Sequence, residues 1–184
     1  VYMLDVPTDR EDLVKRALFT AGCMAAEILV HEGTPESVVL LTRWDVAPVF
    51  EEGRLYCHFG TFGTACIDAK SGDLLRNIEM FTCEQPPPIH ATNTYASPTP
   101  ATDGERLFCH FGPVGTAALD LKTGQVAWKQ RFVFDDITGP GSSPLLWKDK
   151  LILPCDGVDQ QFVVALDKQT GEVVWRTPRP KIDA

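Results

Sequence analysis

The sequence predicts an all-β protein: a partial β-propeller of three four-stranded antiparallel blades with an N-terminal amphipathic helix. Short runs rich in Val, Ile, Phe, Tyr and Trp alternate with turn residues, and the chain holds 14 Gly and 14 Pro. One segment occurs twice and a second occurs three times, at spacings of 52 and 47 residues. Units of about 40 to 50 residues with four short strands each are typical of propeller blades.

The length and charge of the chain exclude several classes of protein. With 184 residues, 44% of them hydrophobic, the chain can bury a core without disulfides or metals. The formal net charge of −8, from 17 basic and 25 acidic residues, opposes binding to phosphate backbones, so we expect no nucleic-acid partner. No apolar run approaches the roughly 18 residues of a membrane helix, so we expect no transmembrane segment.

Residues 1–43 lie outside the repeats and are predicted to form a helix and a strand. Residues 8–11 read as a capping box, and apolar side chains then recur at helical spacing until a glycine and a proline end the run. We expect a helix over Asp9–His31 and a strand near Val38–Thr42. Their expected role is to cap an exposed blade face or edge, or to form an oligomer contact.

A cleavage box offers an alternative interpretation of the same segment. Thr20-Ala21-Gly22-Cys23 resembles the sequence at which lipoprotein leaders are cut. The apolar stretch before Cys23 is only six residues long, however, and acidic residues precede it where a leader is basic. We therefore expect this segment to be retained.

The internal repeat is visible at two landmarks. Arg54–Gly60 (RLYCHFG) recurs as Arg106–Gly112 (RLFCHFG). The second landmark, an Asp followed four residues later by Gly, occurs in Ala65–Gly72, Ala117–Gly124 and Val164–Gly171. Residues 44–184 are therefore predicted to form three blades, at about 44–82, 94–134 and 140–178.

Turn residues divide the copies into short strands. In the second copy we expect strands at Ala96–Thr102, Arg106–His110, Gly115–Asp120 and Gln125–Arg131. In the third copy we expect strands at Pro144–Trp147, Leu151–Pro154, Phe162–Asp167 and Val173–Arg176. Because a single four-stranded sheet cannot shelter both of its faces, each blade must pack on a neighbour.

Six cysteines are spread along the chain without a Cys-x-x-Cys motif. This spacing is not that of a zinc knuckle or of a thioredoxin-type redox pair. Since the chain is long enough to bury a core without covalent staples, we expect buried free thiols.

Two of the repeats match a known motif. Ala165–Trp175 (ALDKQTGEVVW) fits the pattern A-x-D-x-x-T-G-x-x-x-W, and Ala118–Trp128 fits it as well. The motif resembles the pyrroloquinoline-quinone-like (PQQ-like) β-propeller repeat, shared by quinoprotein alcohol dehydrogenases, the propeller lipoprotein of outer-membrane protein assembly and uncharacterised exported bacterial proteins. The resemblance covers about residues 45–177, implies a fold rather than an activity, and implies a periplasmic or extracellular location.

The resemblance implies structural roles for the repeated residues. The Trp of the motif docks between blades, and the Thr-Gly pair makes the turn between the outer strands, where an Asp accepts backbone hydrogen bonds. The expected docking and turn residues are Trp128, Trp175, Gly72, Gly124, Gly171, Asp68, Asp120 and Asp167. The first copy departs from the pattern, with Ser71 for Thr and Arg76 for Trp, so we expect a looser or differently covered joint there.

A quinone cofactor is not expected. Dehydrogenases of the resembling family hold it with a calcium ion, a catalytic Asp, a flat Trp and often an adjacent Cys-Cys disulfide. This chain has no Cys-Cys pair, and both motif tryptophans have structural roles. Cys57 and His58 are neighbours on a predicted strand and point to opposite faces, so they cannot easily share a metal ion. The aspartates at positions 135, 136, 156 and 159 lack the spacing of a calcium-binding loop. We therefore expect no PQQ, no calcium and no other metal.

Candidate ligand contacts lie in two loops. Residues 86–95 lead into the second blade, where propeller loops usually bind ligands, and they include His90, Asn93 and Tyr95. A stiff polyproline spacer is the alternative interpretation. Asp156 and Asp159 flank a glycine in a loop that interrupts the third repeat, where solvated charge is the alternative.

Three blades do not close a ring, because propellers have roughly four to eight. We expect either a part of a longer protein or chains that combine their blades, for example a two-fold pair with six blades. The expected function is a non-catalytic binding or assembly scaffold that self-associates or binds a protein partner, with no catalytic residues. The alternative is a fragment or relative of a quinoprotein (PQQ/calcium) dehydrogenase. A hydrolase or lyase acting through the His90–Tyr95 face is a third class.

Overall fold

The computed structural model describes residues 2–7, 23–30, 37–44, 49–59 and 62–180. Two compact units divide these residues. The first unit contains a three-stranded N-terminal sheet and the first four-stranded sheet, and the second unit contains the other two four-stranded sheets.

The N-terminal sheet is antiparallel, with its third strand in the middle. Its strands are β1 (Tyr2–Pro7), β2 (Cys23–Val30) and β3 (Ser37–Trp44). The strand expected near Val38–Thr42 is therefore present as β3.

The helix expected over Asp9–His31 is wrong at Cys23–Val30, which forms β2. Residues 9–22 and His31 lie outside the described residues. The nearly continuous apolar run of β2 satisfies a strand as well as a helix, and pairing along β3 provides its backbone with hydrogen-bond partners. Helical spacing was therefore not a sufficient signal in so short an apolar run.

Each of the three blades is a sequential antiparallel sheet. The first blade consists of β4 (Val49–Glu51), β5 (Arg54–Phe59), β6 (Gly63–Asp68) and β7 (Leu74–Glu79). The second consists of β8 (Ala101–Thr102), β9 (Arg106–His110), β10 (Thr116–Asp120) and β11 (Val126–Gln130). The third consists of β12 (Leu145–Trp147), β13 (Lys150–Asp156), β14 (Gln161–Asp167) and β15 (Val173–Pro178).

Proline explains the two clearest differences from the expected strands. The strand expected over Ala96–Thr102 is reduced to the two residues of β8, because Pro98 and Pro100 have no N–H to donate to a ladder. In contrast, β13 continues through Pro154. On one side of β13, Pro154 lies opposite Val163 of β14. On the other side, β12 pairs with β13 only as far as Ile152, so no strand there requires the N–H that Pro154 lacks.

Residues directly opposite one another share a face of a sheet, and they form rows across each blade. The second-blade row is Ala101, Phe108, Ala118 and Trp128. The third-blade row, at the equivalent positions, is Leu145, Ile152, Ala165 and Trp175.

The core of the second unit lies between the second and third blades. Phe108, Ala118 and Trp128 of the second-blade row form one cluster with the buried face of the third blade. That face contributes Leu151, Leu153, Cys155, Phe162, Val164 and Leu166. In β13 the buried residues alternate with partly exposed ones, so one face of the third blade is committed to this core.

The described part of the chain contains one short helical element, a 3₁₀ turn at Gly112–Val114. No helix there has the length and hydropathy of a membrane-spanning segment. Cys66, Cys109 and Cys155 are buried free thiols, and Cys83 is a partly buried one.

Candidate functional site

Trp128 joins the second blade to the third. Its indole Nε1 donates a hydrogen bond to the backbone oxygen of Lys168, at 3.0 Å. The ring lies over Gly171, where an added Cβ would come within 2.6 Å of the indole Cδ2 atom. Gly171 has a φ of +76°, so both its backbone conformation and its closeness to the ring require glycine.

Charged side chains reinforce this joint. Arg106 Nη1 donates to the backbone oxygens of Lys168 and Gln169, at 3.2 and 3.0 Å. Lys168 Nζ lies 2.8 Å from Asp103 Oδ2. Burial would raise the pKa of Asp103, but hydrogen bonds from Lys168 and two backbone amides outweigh it and lower that pKa. The turn of the third blade is therefore bound through its backbone and one side chain.

The Asp-to-Gly turn has one geometry in all three blades. In each blade the glycine N–H donates to the backbone oxygen of the aspartate at 2.8 Å, and the glycine φ lies between +72° and +76°. The aspartate Oδ1 accepts from nearby backbone amides, which lowers the pKa of each carboxyl. The turns run over Asp68–Gly72, Asp120–Gly124 and Asp167–Gly171.

The third-blade row is open where the second-blade row is covered. Leu145 is 61% exposed and Trp175 is 38% exposed, whereas Trp128 is 9% exposed. Trp147, paired with Lys150 on the same face, is 52% exposed. The third blade thus leaves Leu145 and Trp175 partly exposed at the position through which the second blade binds its neighbour.

The equivalent surface of the first blade is polar. Arg54, Tyr56, Cys66, Leu75 and Arg76 line a cavity of about 280 Å³. Burial raises the pKa of the Tyr56 hydroxyl and of the Cys66 thiol. Arg76 stands at the position of Trp128, so this blade has a basic group where the others have an indole.

The loop candidates His90 and Asn93 are occupied in holding two loops together. The His90 N–H and Asn93 Nδ2 both donate to the backbone oxygen of Thr138, at 3.1 and 2.8 Å. His90 Nδ1 lies 2.8 Å from Thr92 Oγ1. Asn93 therefore supports the adjacent loop through its side chain, whereas His90 does so through its backbone, and the His90 ring contacts Thr92 in its own loop.

Tyr95 is also part of this support. Its hydroxyl donates to the backbone oxygen of Pro87. Its ring meets Phe62 edge to face, with centroids 4.8 Å apart. Tyr95 thereby anchors the proline-rich segment, a role close to the spacer interpretation.

Asp156 and Asp159 have different surroundings. Asp156 Oδ1 pairs with Arg179 Nη1. Asp159 Oδ1 accepts from the Asp135 N–H at 2.7 Å, and this bond lowers the pKa of its carboxyl. Asp159 thus holds its loop against Asp135, and Asp156 lines a cavity.

That cavity, of about 220 Å³, involves two residues that were not among the predicted ligand contacts. His110 and Asp136 line it together with Asp156, Gly139, Gly141 and Ser142. His110 is 2% exposed and Asp136 is 8% exposed. A repeated histidine and an Asp-Asp pair in a loop carry no distinctive spacing, so only the tertiary structure brings them together.

The described residues do not fit a quinone-calcium site. They contain no group of three or more His, Cys, Asp or Glu side chains that could hold a metal ion. Trp128 is covered by the Gly171 turn, so its face is not available to a flat cofactor. The absence of PQQ and calcium binding stays a prediction.

Nucleophilic thiol chemistry is also poorly supported by these residues. Cys155 is fully buried, and burial raises the pKa of its thiol to about 12. Burial likewise raises the pKa of the Cys109 thiol. Both thiols are protonated at neutral pH, and a thiol in that state is a weak nucleophile.

Comparison with known proteins supports the propeller repeats. The family model described as "Outer membrane protein assembly factor BamB" matches residues 31–182. Comparison with curated protein sequences gives no match.

Several solved structures have similar folds. A quinohemoprotein alcohol dehydrogenase from Pseudomonas putida HK5 superposes with a TM-score of 0.58 at 19% identity, covering 75% of this chain and 21% of that one. Another, from Comamonas testosteroni, gives 0.57 at 19% identity, covering 72% and 20%. BamB from Moraxella catarrhalis gives 0.53 at 14% identity, covering 72% and 37%. The chain thus spans about a fifth of the dehydrogenases and just over a third of that BamB.

Proposed function

Because the chain belongs to the PQQ-like propeller family whose model is described as outer membrane protein assembly factor BamB, we propose that it is a non-catalytic assembly scaffold. The open row of its third blade binds a further PQQ-like blade, supplied by a second copy of the chain. The observation that carries the proposal is the contrast between Trp128, which is covered, and Trp175, which is exposed.

The second blade shows what such a row binds. Trp128 donates a hydrogen bond to a backbone oxygen of the Asp167–Gly171 turn and packs its ring on the glycine of that turn. Arg106 donates to two backbone oxygens of the same turn. A second copy carries turns of the same geometry at Asp68–Gly72 and Asp120–Gly124. A second copy of the chain therefore offers turns that are complementary to the third-blade row.

The exposed apolar surface gives the association its driving force. Leu145, Trp147 and Trp175 are large apolar side chains on one face, each more than a third exposed. Covering such a patch removes apolar area from water, at roughly 25 cal/mol for each Å². Exposed patches of this kind usually mark protein contacts.

A dehydrogenase activity has weaker support. The similarity to quinohemoprotein alcohol dehydrogenases is a similarity of fold, and no cluster among the described residues favours the alternative. Assembly needs only a docking surface, and the exposure of Leu145 and Trp175 supports such a surface.

The test is the solution mass of the chain by light scattering over a range of concentrations. We expect a mass above that of one chain, and we expect Trp175→Ala to reduce it to that of one chain. Val133→Ala is the control, because Val133 is 88% exposed but lies in the connection before the third blade. A wild-type mass of one chain throughout would contradict self-association, and an equal effect of both substitutions would contradict docking through the third-blade row.

A further inference from the structure

Asp136 is a buried carboxylate that is satisfied on one side only. Its Oδ1 accepts three hydrogen bonds, from the Thr138 N–H at 3.1 Å, the Thr138 hydroxyl at 3.2 Å and the Gly139 N–H at 2.9 Å. Its Oδ2 has no hydrogen-bond partner among the described residues and lies over Gly112, 3.5 Å from where a Cβ would stand. Both Gly112 and Asp136 line the 220 Å³ cavity, so Oδ2, and not the Oδ1 that already accepts three hydrogen bonds, is the oxygen left to a ligand there.

The charge of Asp136 also lacks a basic partner. In the described part of the chain, no Lys, Arg or His lies within ion-pair distance of it. The other carboxylate of the cavity, Asp156, is offset by Arg179. A carboxylate without a basic partner favours a cation over an anion as the ligand of this cavity.

His110 adds a polar group without adding positive charge. Its Nδ1 lies 2.9 Å from Thr116 Oγ1, and its Nε2 has no partner among the described residues. Burial lowers the pKa of His110 to about 4, so the ring is neutral at pH 7. The histidine therefore adds no positive charge that would compete with a cation entering the cavity.

The size and ligand set of the cavity narrow the choice of cation. Its volume of about 220 Å³ leaves room for an ammonium group together with part of an alkyl chain. No group of three metal-binding side chains is present among the described residues. An ammonium ion at the end of an alkyl chain matches a single free carboxylate oxygen, because it is a compact charge with three donors.

We propose that this cavity binds a primary ammonium group, which donates a hydrogen bond to Oδ2 of Asp136. The group comes either from a small alkylamine or from a lysine side chain of a protein. This inference does not depend on self-association through the third-blade row.

The test is a titration of the full chain with n-butylammonium, followed by the NMR shifts of the Thr138 and Gly139 amides. We expect a saturable shift with n-butylammonium and none with 1-butanol, which has a similar shape without the charge. A parallel titration with Nα-acetyl-lysine amide separates the two sources: binding supports a protein lysine, and binding of n-butylammonium alone supports a small amine.

Matched variants locate the binding. Asp136→Asn keeps an oxygen for the three donors and removes the charge, and we expect the affinity to fall about tenfold or more. Asp135→Asn removes an adjacent but exposed charge, and we expect almost no change. Gly141→Leu adds a side chain where nothing lies within 4 Å, and we expect it to obstruct the cavity without disturbing the fold.

Two results overturn the proposal. If 1-butanol produces the same shifts, the charge has no role. If Asp135→Asn weakens binding as much as Asp136→Asn, the amine is attracted by the general acidity of the chain and not by the cavity. Should Asp136→Asn fail to fold, Gly141→Leu decides: unchanged affinity in that variant contradicts binding in the cavity.

Discussion

His110 is buried at the end of β9, with Thr116 as its hydrogen-bond partner. The repeated sequence places a histidine at position 110, as at position 58, and indicates nothing about its surroundings. The structure adds that the ring borders a cavity and that burial lowers its pKa to about 4 from an ordinary 6.5. Burial depends on the neighbouring loops, which a repeat motif does not encode.

His110 makes the stability of the protein depend on pH. Between pH 6.5 and 4 the unfolded chain binds a proton at this position and the folded chain does not, so stability is lost as the pH falls through that window. A shift of this size corresponds to about 3 kcal/mol. We expect the free energy of unfolding of the wild type to fall by that much more than that of His110→Gln.

The measurement is urea denaturation at several values between pH 4 and 7. The His110→Gln variant retains a hydrogen-bonding side chain but does not titrate at that position. A constant difference in the free energy of unfolding between the two proteins is therefore not informative, and the quantity compared is how steeply that free energy changes with pH. Parallel curves for the two proteins would show that His110 keeps an ordinary pKa.

At the scale of the element, the Asp-to-Gly turn was predictable from the sequence, but the packing of the third-blade turn on the Trp128 ring was not. The spacing of Asp and Gly in three copies indicates a turn, because the carboxylate accepts local amides and glycine accepts a positive φ. The meeting of Gly171 with the ring of Trp128 depends on the stacking of two blades. The first strand of the second blade was overestimated, because two prolines remove its donors.

Two glycine substitutions separate the cost of the turn from the cost of the joint. Gly53 and Gly171 have φ values of +75° and +76°, but an added Cβ has open space at Gly53 and meets the Trp128 ring at Gly171. We expect Gly53→Ala to lower the free energy of unfolding by about 1–2 kcal/mol. Gly171→Ala should lower it by a further 1–3 kcal/mol or so, because the ring must move.

Chemical denaturation of both variants and the wild type provides the comparison. Equal losses for the two substitutions would mean that the Trp128 ring yields without cost, and the joint between the blades would then be looser than its geometry indicates.

At the scale of the whole molecule, the three repeats predicted three four-stranded sheets, but they did not indicate which surface covers each sheet. Leu145 and Trp175, the two ends of the third-blade row, are exposed within the described residues, while Trp128 at the equivalent position of the second blade is buried. The chain spans about a fifth of the dehydrogenases that it resembles in fold, so activity cannot be transferred from them.

Cofactor binding is tested on the entire chain. We expect titration with PQQ in the presence of calcium to give no stoichiometric uptake, because no described cluster offers three metal-binding side chains and the indole of Trp128 is covered. The quinone absorbance that stays with the protein after gel filtration is the measurement. Uptake of one equivalent would favour the dehydrogenase alternative over the scaffold.

The amino-acid sequence by itself determined the local features: the repeat length, most of the strands in the second and third blades, and the turn at each Asp-Gly spacing. These follow from backbone chemistry within a few residues of one another. Only the tertiary structure decided that Cys23–Val30 is a strand, that Trp128 is covered while Trp175 is open, and that His110 and Asp136 share a cavity. Each of these depends on which distant segment pairs with or covers the residue, and identical motifs can differ in that respect.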